Sequence, residues 1–249
     1  AVDSNQANIT RGYIQGTWLA WLSRYAEIQG SELPMPIALE QRIWFNSALS
    51  SHLFLVPGLI AIIMTLTGSL LTAMVVAREW ERGTMEALMV TPLRMGEMLA
   101  GKLIPYFVLG MGGMLFSVAL AVWQFNVPLL GSFWLLVLSS ALFMLVALVV
   151  GLLISIVSKN QFVAGQIALL VTFLPAFILS GFLFDINSMP APIQFITVLV
   201  PARYFVAILQ TLFLAGDVWP VILSNLAALF IMLIFFAAVV WHKSYKRLD

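Results

Sequence analysis

An all-α integral membrane protein is predicted by three features of this 249-residue sequence: an apolar composition, five long uncharged runs, and basic residues that alternate between the connections joining them. Hydrophobic residues make up 62% of the chain and charged residues 9%, whereas soluble domains carry roughly 45–50% and about 25%. A hydrocarbon core about 30 Å thick needs roughly 20 apolar helical residues. The runs 55–77, 103–125, 133–157, 162–184 and 221–241 have lengths of 23, 23, 25, 23 and 21, so each can span with modest tilt. Isolated strands would leave unpaired backbone groups in lipid, so the runs are read as helices.

Charge placement orients them. The first connection holds Arg78, Arg82, Arg94 and Lys102, the third Lys159, and the tail Lys243, Lys246 and Arg247. The second connection holds no basic residue and the long fourth one only Arg203. By the positive-inside rule the first connection and the C-terminus are cytoplasmic, and residues 1–54 lie outside. An exported N-terminal segment needs a route across the membrane, and the chain opens Ala-Val-Asp without a leader pattern. The expectation is therefore the C-terminal portion of a longer protein with at least one more span upstream.

Taken in order, residues 1–54 are the long stretch of ordinary soluble composition. Residues 11–29 read as an amphipathic helix with Ile14, Trp18, Trp21 and Tyr25 on one face. That face either packs on its own subdomain or lies at the membrane interface. Pro34 and Pro36 break the chain, and residues 37–51 lead to the first span. Five of the 23 charged residues then fall within nine positions: Arg78, Glu79, Glu81, Arg82 and Glu86. Charge this dense against a span belongs in water at the bilayer surface. The island, residues 78–91, is expected to form a short helix, with Trp80, Thr84, Ala87 and Leu88 on one face. Arg82 is placed to pair with Glu86 and Glu79. Gly83 weakens the helix midway, and Thr91-Pro92 ends it. It either docks a partner or is a solvated connector.

The connection 185–220 is too long and apolar for a simple loop. With Pro190, Pro192 and Pro201, the single cation Arg203, and an apolar run of eleven residues from Tyr204, segment 189–216 reads as a re-entrant or interfacial helical pair on the outer side. A packed surface loop is the alternative.

The spans contain no Asp, Glu, Lys, Arg or His. Ion-coupled carriers place ionisable groups along their path, so energy is expected to enter from outside the spans. An intramembrane enzyme is disfavoured for the same want of a base or metal ligand. Hydroxyls are densest in the first span, at Thr65, Thr67, Ser69 and Thr72, and the deep amides are Gln166 and Asn225. They serve as interhelical hydrogen-bonding groups or line a substrate path, for which Gln166 and Asn225 are the candidates. Small residues at Ala147, Gly151 and Ser155, and at Ala164 and Ala168, permit close helix contact, within one subunit or between two. The 12 Met and 18 Phe suit lipid contact, packing or a hydrophobic substrate. Gly96 to Lys102 fits the first seven positions of a P-loop, but Leu103 stands where a Ser or Thr should bind Mg²⁺ and no strand precedes it. With no cysteine, thiolate metal sites are excluded.

The run Val76-Ala77-Arg78-Glu79-Trp80-Glu81-Arg82-Gly83-Thr84-Met85-Glu86-Ala87-Leu88, followed by Thr91-Pro92, resembles the cytoplasmic signature of ABC-2 type transporter permeases. Gly101-Lys102 before the second span, Gly151 to Ser155, Leu179-Ser180-Gly181 before Met189-Pro190, and Pro201-Ala202-Arg203-Tyr204-Phe205 agree in order and spacing. The resemblance is closest to bacterial inner-membrane multidrug-type exporters with a large periplasmic domain. It implies six spans per subunit, residues 1–54 as the end of that domain, and residues 55–249 as the transmembrane domain. It further implies that the island is a coupling helix seated in a separate ATP-binding subunit, with Arg78, Glu79, Trp80, Arg82, Gly83 and Glu86 as coupling residues. ATP and Mg would be held by a pair of those partner subunits, with no cofactor, metal or catalytic residue on this chain. Two permeases, identical or paralogous, would pair around a path for hydrophobic or amphiphilic compounds, in contact with lipid and without nucleic acid. Segment 189–216, with Pro201, Arg203 and Tyr204, would be the outer re-entrant element. The alternative from another class is a membrane scaffold or receptor-like protein whose island docks a partner that is not an ATPase.

Overall fold

The computed structural model describes residues 51–84 and 95–243 and, nearer the N-terminus, Thr10 and residues 12–14, 16–18, 20–21 and 24–25. Among the described residues the regular structure is all helix, without a strand. The chain divides into two compact units, Ala1–Phe54 and Leu55–Asp249. In the first unit the described residues are helical, and Trp18 stacks on Trp21 and Trp21 on Tyr25, with centroids 5.3 Å apart in each pair. Ile14, Trp18, Trp21 and Tyr25 are all exposed. Pro34 and Pro36 lie outside the described residues.

In the second unit five helices are long and apolar enough to cross a membrane: Leu55–Glu81, Leu99–Trp123, Phe133–Ser158, Gln161–Leu179 and Trp219–Lys243. They coincide in order with the five uncharged runs, with ends displaced by up to five residues. The displacements have a physical cause. An apolar run marks hydrocarbon depth, whereas a helix continues until a cap interrupts its hydrogen bonds. The third span stops at Lys159, which adopts φ +51°, and its N–H returns to the Ser155 carbonyl at 3.1 Å. Asn160 then caps the fourth span by accepting from the Val163 N–H at 3.1 Å. The fourth span ends at Leu179, before Ser180 and the left-handed Gly181.

The third span is the hub. The first, second and fifth spans and the helix Pro201–Leu214 all pack on it. In its most apolar stretch 61% is buried, against 17%, 17% and 11% for the second, fourth and fifth spans, which leave apolar faces for lipid or another protein. The small residues settle inside one chain. Gly68 of the first span lies over Ala147, Gly151 lies over the backbone of Ser69, and Ala73 and Ala77 meet Ala164 and Ala168. Without Cβ bulk the helix backbones approach closely, the usual basis of packing in lipid.

Two spans are not α-helical throughout. The first contains a π-helical turn at Leu66–Leu70 and the fourth another at Leu169–Phe173, and the two turns touch. Such turns are uncommon and concentrate at functional sites.

Between the fourth and fifth spans, Ala191–Thr197 and Pro201–Leu214 form a helix pair bent by 84°. Val200 is extended, as a residue before proline should be, and Pro201 opens the second arm. The Arg203 guanidinium donates to the Thr197 hydroxyl, and the Tyr204 hydroxyl donates to the Val198 carbonyl at 2.9 Å, so both brace the bend. The connection between the second and third spans is tied to this pair. Gly131 N donates to the Leu212 carbonyl at 2.7 Å, and Ser132 N donates to Asp217 Oδ1 at 2.7 Å.

Candidate functional site

The charged island starts as the last turn of the first span. The helix runs through Glu81, Arg82 caps it with its N–H on the Arg78 carbonyl at 3.0 Å, and Gly83 follows at φ +69°. A left-handed residue after a helix end favours glycine, which has no Cβ to clash. A single helix over 78–91 is therefore corrected: Arg78–Glu81 belong to the span, and the turn at Arg82 and Gly83 separates them from Thr84. Glu86 and the rest of the expected helix lie outside the described residues.

The expected Glu79–Arg82 pair is replaced as well. Glu79 pairs with Lys102 of the second span, their side chains 28% and 15% exposed. Arg82 is exposed at the helix end, while Lys102 approaches Glu79 from a packed neighbour. Arg78 and Glu81 turn instead to the start of the fourth span. Arg78 Nε donates to Gln161 Oε1 at 3.0 Å, and Gln161 N donates to Glu81 Oε2 at 3.0 Å. Trp80 packs on a cluster of Val76, Leu99, Val149, Leu152 and Val240. The Lys159 ammonium lies 5.2 Å from the Trp80 ring centroid, within cation–π range. Its Nε1 is buried with no hydrogen-bond partner among the described residues.

Four consecutive residues thus reach the second, third, fourth and fifth spans. Sequence reasoning missed Glu81, Lys159 and Gln161 in this cluster. The missed signal was the short third connection, which forces Lys159, Asn160 and Gln161 to one end of the bundle. Arg82, Gly83 and Thr84 remain exposed.

Deeper in the bundle, a cavity of about 310 Å³ lies between the first, third and fourth spans and the bent pair Ala191–Thr197 and Pro201–Leu214, with Phe236 from the fifth span. Its walls are apolar apart from Thr65, Ser69 and Thr172. Ser69 and Thr172, one from each π turn, stand with hydroxyl oxygens 2.7 Å apart. The structure does not bring the path candidates here. Gln166 is exposed on the fourth span, and Asn225 Nδ2 donates to the Val221 carbonyl of its own helix at 2.7 Å. Of the outer residues Pro201 lines the cavity, whereas Arg203 and Tyr204 do not.

Comparison with known proteins follows the same lines. The chain is 47% identical over 247 residues to the "Probable multidrug ABC transporter permease YbhS" of Escherichia coli K12, covering 99% of this chain and 66% of that protein. It is 30% identical over 230 residues to the "Probable multidrug ABC transporter permease YbhR" of the same strain, covering 88% and 61%. It is 31% identical over 239 residues to the "Inner membrane transport permease YhhJ" of Escherichia coli K12, covering 91% and 62%. The chain thus spans 66%, 61% and 62% of the lengths of these relatives. No solved structure matches. The family described as "ABC-2 family transporter protein" matches residues 1–242, and with five apolar helices in the order that its sequence motifs require, this multi-pass membrane chain belongs to that family.

Proposed function

We propose that this chain is the permease part of an ATP-driven exporter that moves hydrophobic or amphiphilic compounds across a bacterial inner membrane. The observation that carries the reading is the braced last turn of the first span. Arg78, Glu79, Trp80 and Glu81 are each fixed to another span, and the exposed Arg82, Gly83 and Thr84 follow directly. A surface meant to receive force needs this construction, with stiff attachment behind and exposed residues in front. Relatives named as multidrug ABC transporter permeases support the same assignment.

In this reading a separate pair of ATP-binding subunits binds ATP and Mg and seats the segment from Arg78 to Thr91. Two permeases, identical or paralogous, face each other across the substrate path. Residues 1–54 are periplasmic and the C-terminus is cytoplasmic, as the distribution of basic residues implies. This chain performs no hydrolysis itself. The segment 189–216 stands near the outer gate, where Pro201, Arg203 and Tyr204 set the bend.

Co-purification of the full-length protein with its candidate ATP-binding subunit tests the proposal. ATPase rate is then compared with and without substitution of the island. The substitution Glu86→Lys should leave insertion intact and uncouple ATP use from export. Normal export by that variant removes Glu86 from the coupling set. Absence of any complex, or an ATPase indifferent to the whole island, favours a scaffold that docks some other partner.

A further inference from the structure

Gln161 opens the fourth span, and only Lys159 and Asn160 separate it from the end of the third, the hub of the bundle. Both of those residues are held. The Lys159 N–H returns to the Ser155 carbonyl, and Asn160 is extended and caps the fourth span by accepting from the Val163 N–H. Gln161 is thereby a fixed point beside the last turn of the first span.

From that point it makes two bonds of different kinds. The first N–H groups of a helix have no partner within it. The Gln161 N–H is served from another helix, by Glu81 Oε2 at 3.0 Å. A carboxylate at a helix N-terminus is also favoured by the helix dipole. The Gln161 side chain answers in the other direction, its Oε1 accepting from Arg78 Nε at 3.0 Å. Arg78 and Glu81 stand three residues apart, so they lie on one face of the first span. Both are exposed, and the turn at Arg82 and Gly83 follows at once. Water can take over either group when its bond is lost, so these bonds hold direction more than they hold the fold.

We propose that Gln161 is a positioning residue for coupling. Its two bonds set the angle at which the first span presents Arg82, Gly83 and Thr84 to an ATP-binding subunit. Gln161 acts through Arg78 and Glu81 and not by contact with that subunit. The inference rests on the permease reading and adds to it a residue of the fourth span.

Three substitutions in the full-length protein grade the contact. Gln161→Glu keeps both bonds, since a carboxylate accepts from Arg78 as the amide does. Gln161→Met keeps the side-chain length and the backbone bond but loses the side-chain acceptor. Gln161→Pro loses both: proline has no N–H, suits the first position of a helix, and follows an Asn160 already extended at φ −134° and ψ 131°. Spin labels at Thr84→Cys and Val157→Cys, exposed positions in a sequence with no cysteine of its own, report the angle in nanodiscs with no partner present. Their distance distribution should match the parent in Gln161→Glu, spread in Gln161→Met and spread most in Gln161→Pro. Binding of the candidate ATP-binding subunit to the unlabelled variants should weaken in the same order. If about one Gln161→Pro molecule in five holds the competent arrangement, the apparent affinity falls about fivefold. A purely structural role would lower the unfolding midpoint and leave both readouts unchanged in the folded protein. Should Gln161→Pro fail to fold, Gln161→Met against Gln161→Glu decides. A distribution unmoved in the folded variants, or docking indifferent to a spread distribution, overturns this inference alone. An unaltered protein that binds no ATP-binding subunit overturns the permease reading, and this inference with it.

Discussion

Replacing Gly151 by Ala tests how the first and third spans are held together. A Cβ at this position would stand 2.4 Å from the Ser69 carbonyl oxygen and 3.0 Å from the Ser69 carbonyl carbon and Cα, where ordinary contact begins near 3.4 Å. All three atoms are backbone, so no side chain can rotate away. The spans must part by about 1 Å, the difference between 3.4 and 2.4 Å. Overpacking of this kind costs about 1–3 kcal/mol, and backbone against backbone belongs at the upper end. For a chain of this size each kcal/mol lowers an unfolding midpoint by about 2–4 °C.

Gly110→Ala is the control that makes the reasoning refutable. Its nominal overlap is worse, since the new Cβ would fall 1.5 Å from Met144 Cε. That atom is the free end of a flexible thioether, which can change rotamer. We therefore expect Gly151→Ala to lower the apparent midpoint in nanodiscs by several degrees and Gly110→Ala by clearly less, with both measured at one scan rate. A Gly151→Ala midpoint within 1 °C of the parent, or the reverse order of the two variants, refutes the claim that backbone contact at Ser69 fixes this interface.

Further substitutions at three places probe the packing around the sites. In the Glu79–Lys102 pair, Glu79→Gln or Lys102→Met alone should destabilise more than the two together, because each removes one half of a partly shielded ion pair; a double-mutant cycle in thermal unfolding should give coupling on the order of 1–3 kcal/mol. Phe205 is fully buried and stacked on Phe143 with centroids 4.2 Å apart, so Phe205→Ala should cost about 3–5 kcal/mol in the same assay, and a loss below about 1 kcal/mol contradicts it. Trp80→Phe should be within about 0.5 kcal/mol of neutral, since the indole N–H has no partner among the described residues, while Trp80→Ala should be several-fold worse; a large loss in the Phe variant shows that the N–H is satisfied.

The spans were legible because burial in lipid demands the same thing of every position in a run, and the absence of charge records it. The ends were less so. The halt at Glu81 depends on Gly83 taking φ +69°, and glycine read from sequence is equally compatible with a weak point inside a helix. The Glu79–Lys102 pair joins residues 23 positions apart on different spans, which local i,i+3 and i,i+4 reasoning cannot reach. Gln161 carried no signal, because an amide next to a membrane face reads as surface until its two partners are in place. The π turns left almost no trace. A change from i→i+4 to i→i+5 bonding alters no composition, and only the density of hydroxyls around Ser69 hinted at it.

The end of the bundle at Gln161 and the cavity are joined by a continuous set of contacts. Gln161, first residue of the fourth span, bonds to both Arg78 and Glu81, near the end of the first span. Farther along, Ala164 and Ala168 lie against Ala77 and Ala73, and beyond them Thr172 meets Ser69. The first and fourth spans are thus pinned to each other at Gln161 and again at the π turns. Hydrogen bonds to charged groups contribute about 1.5–3 kcal/mol each, against about 0.5–1 kcal/mol for an exposed cation–π contact. The pin at Gln161 is accordingly stiffer than the one between Lys159 and Trp80. The last turn of the first span is thus tied to the fourth span at Gln161 and to the second at Lys102, and the line of contacts along the fourth span ends at Thr172, a residue of the cavity wall, whereas Gln166 is exposed.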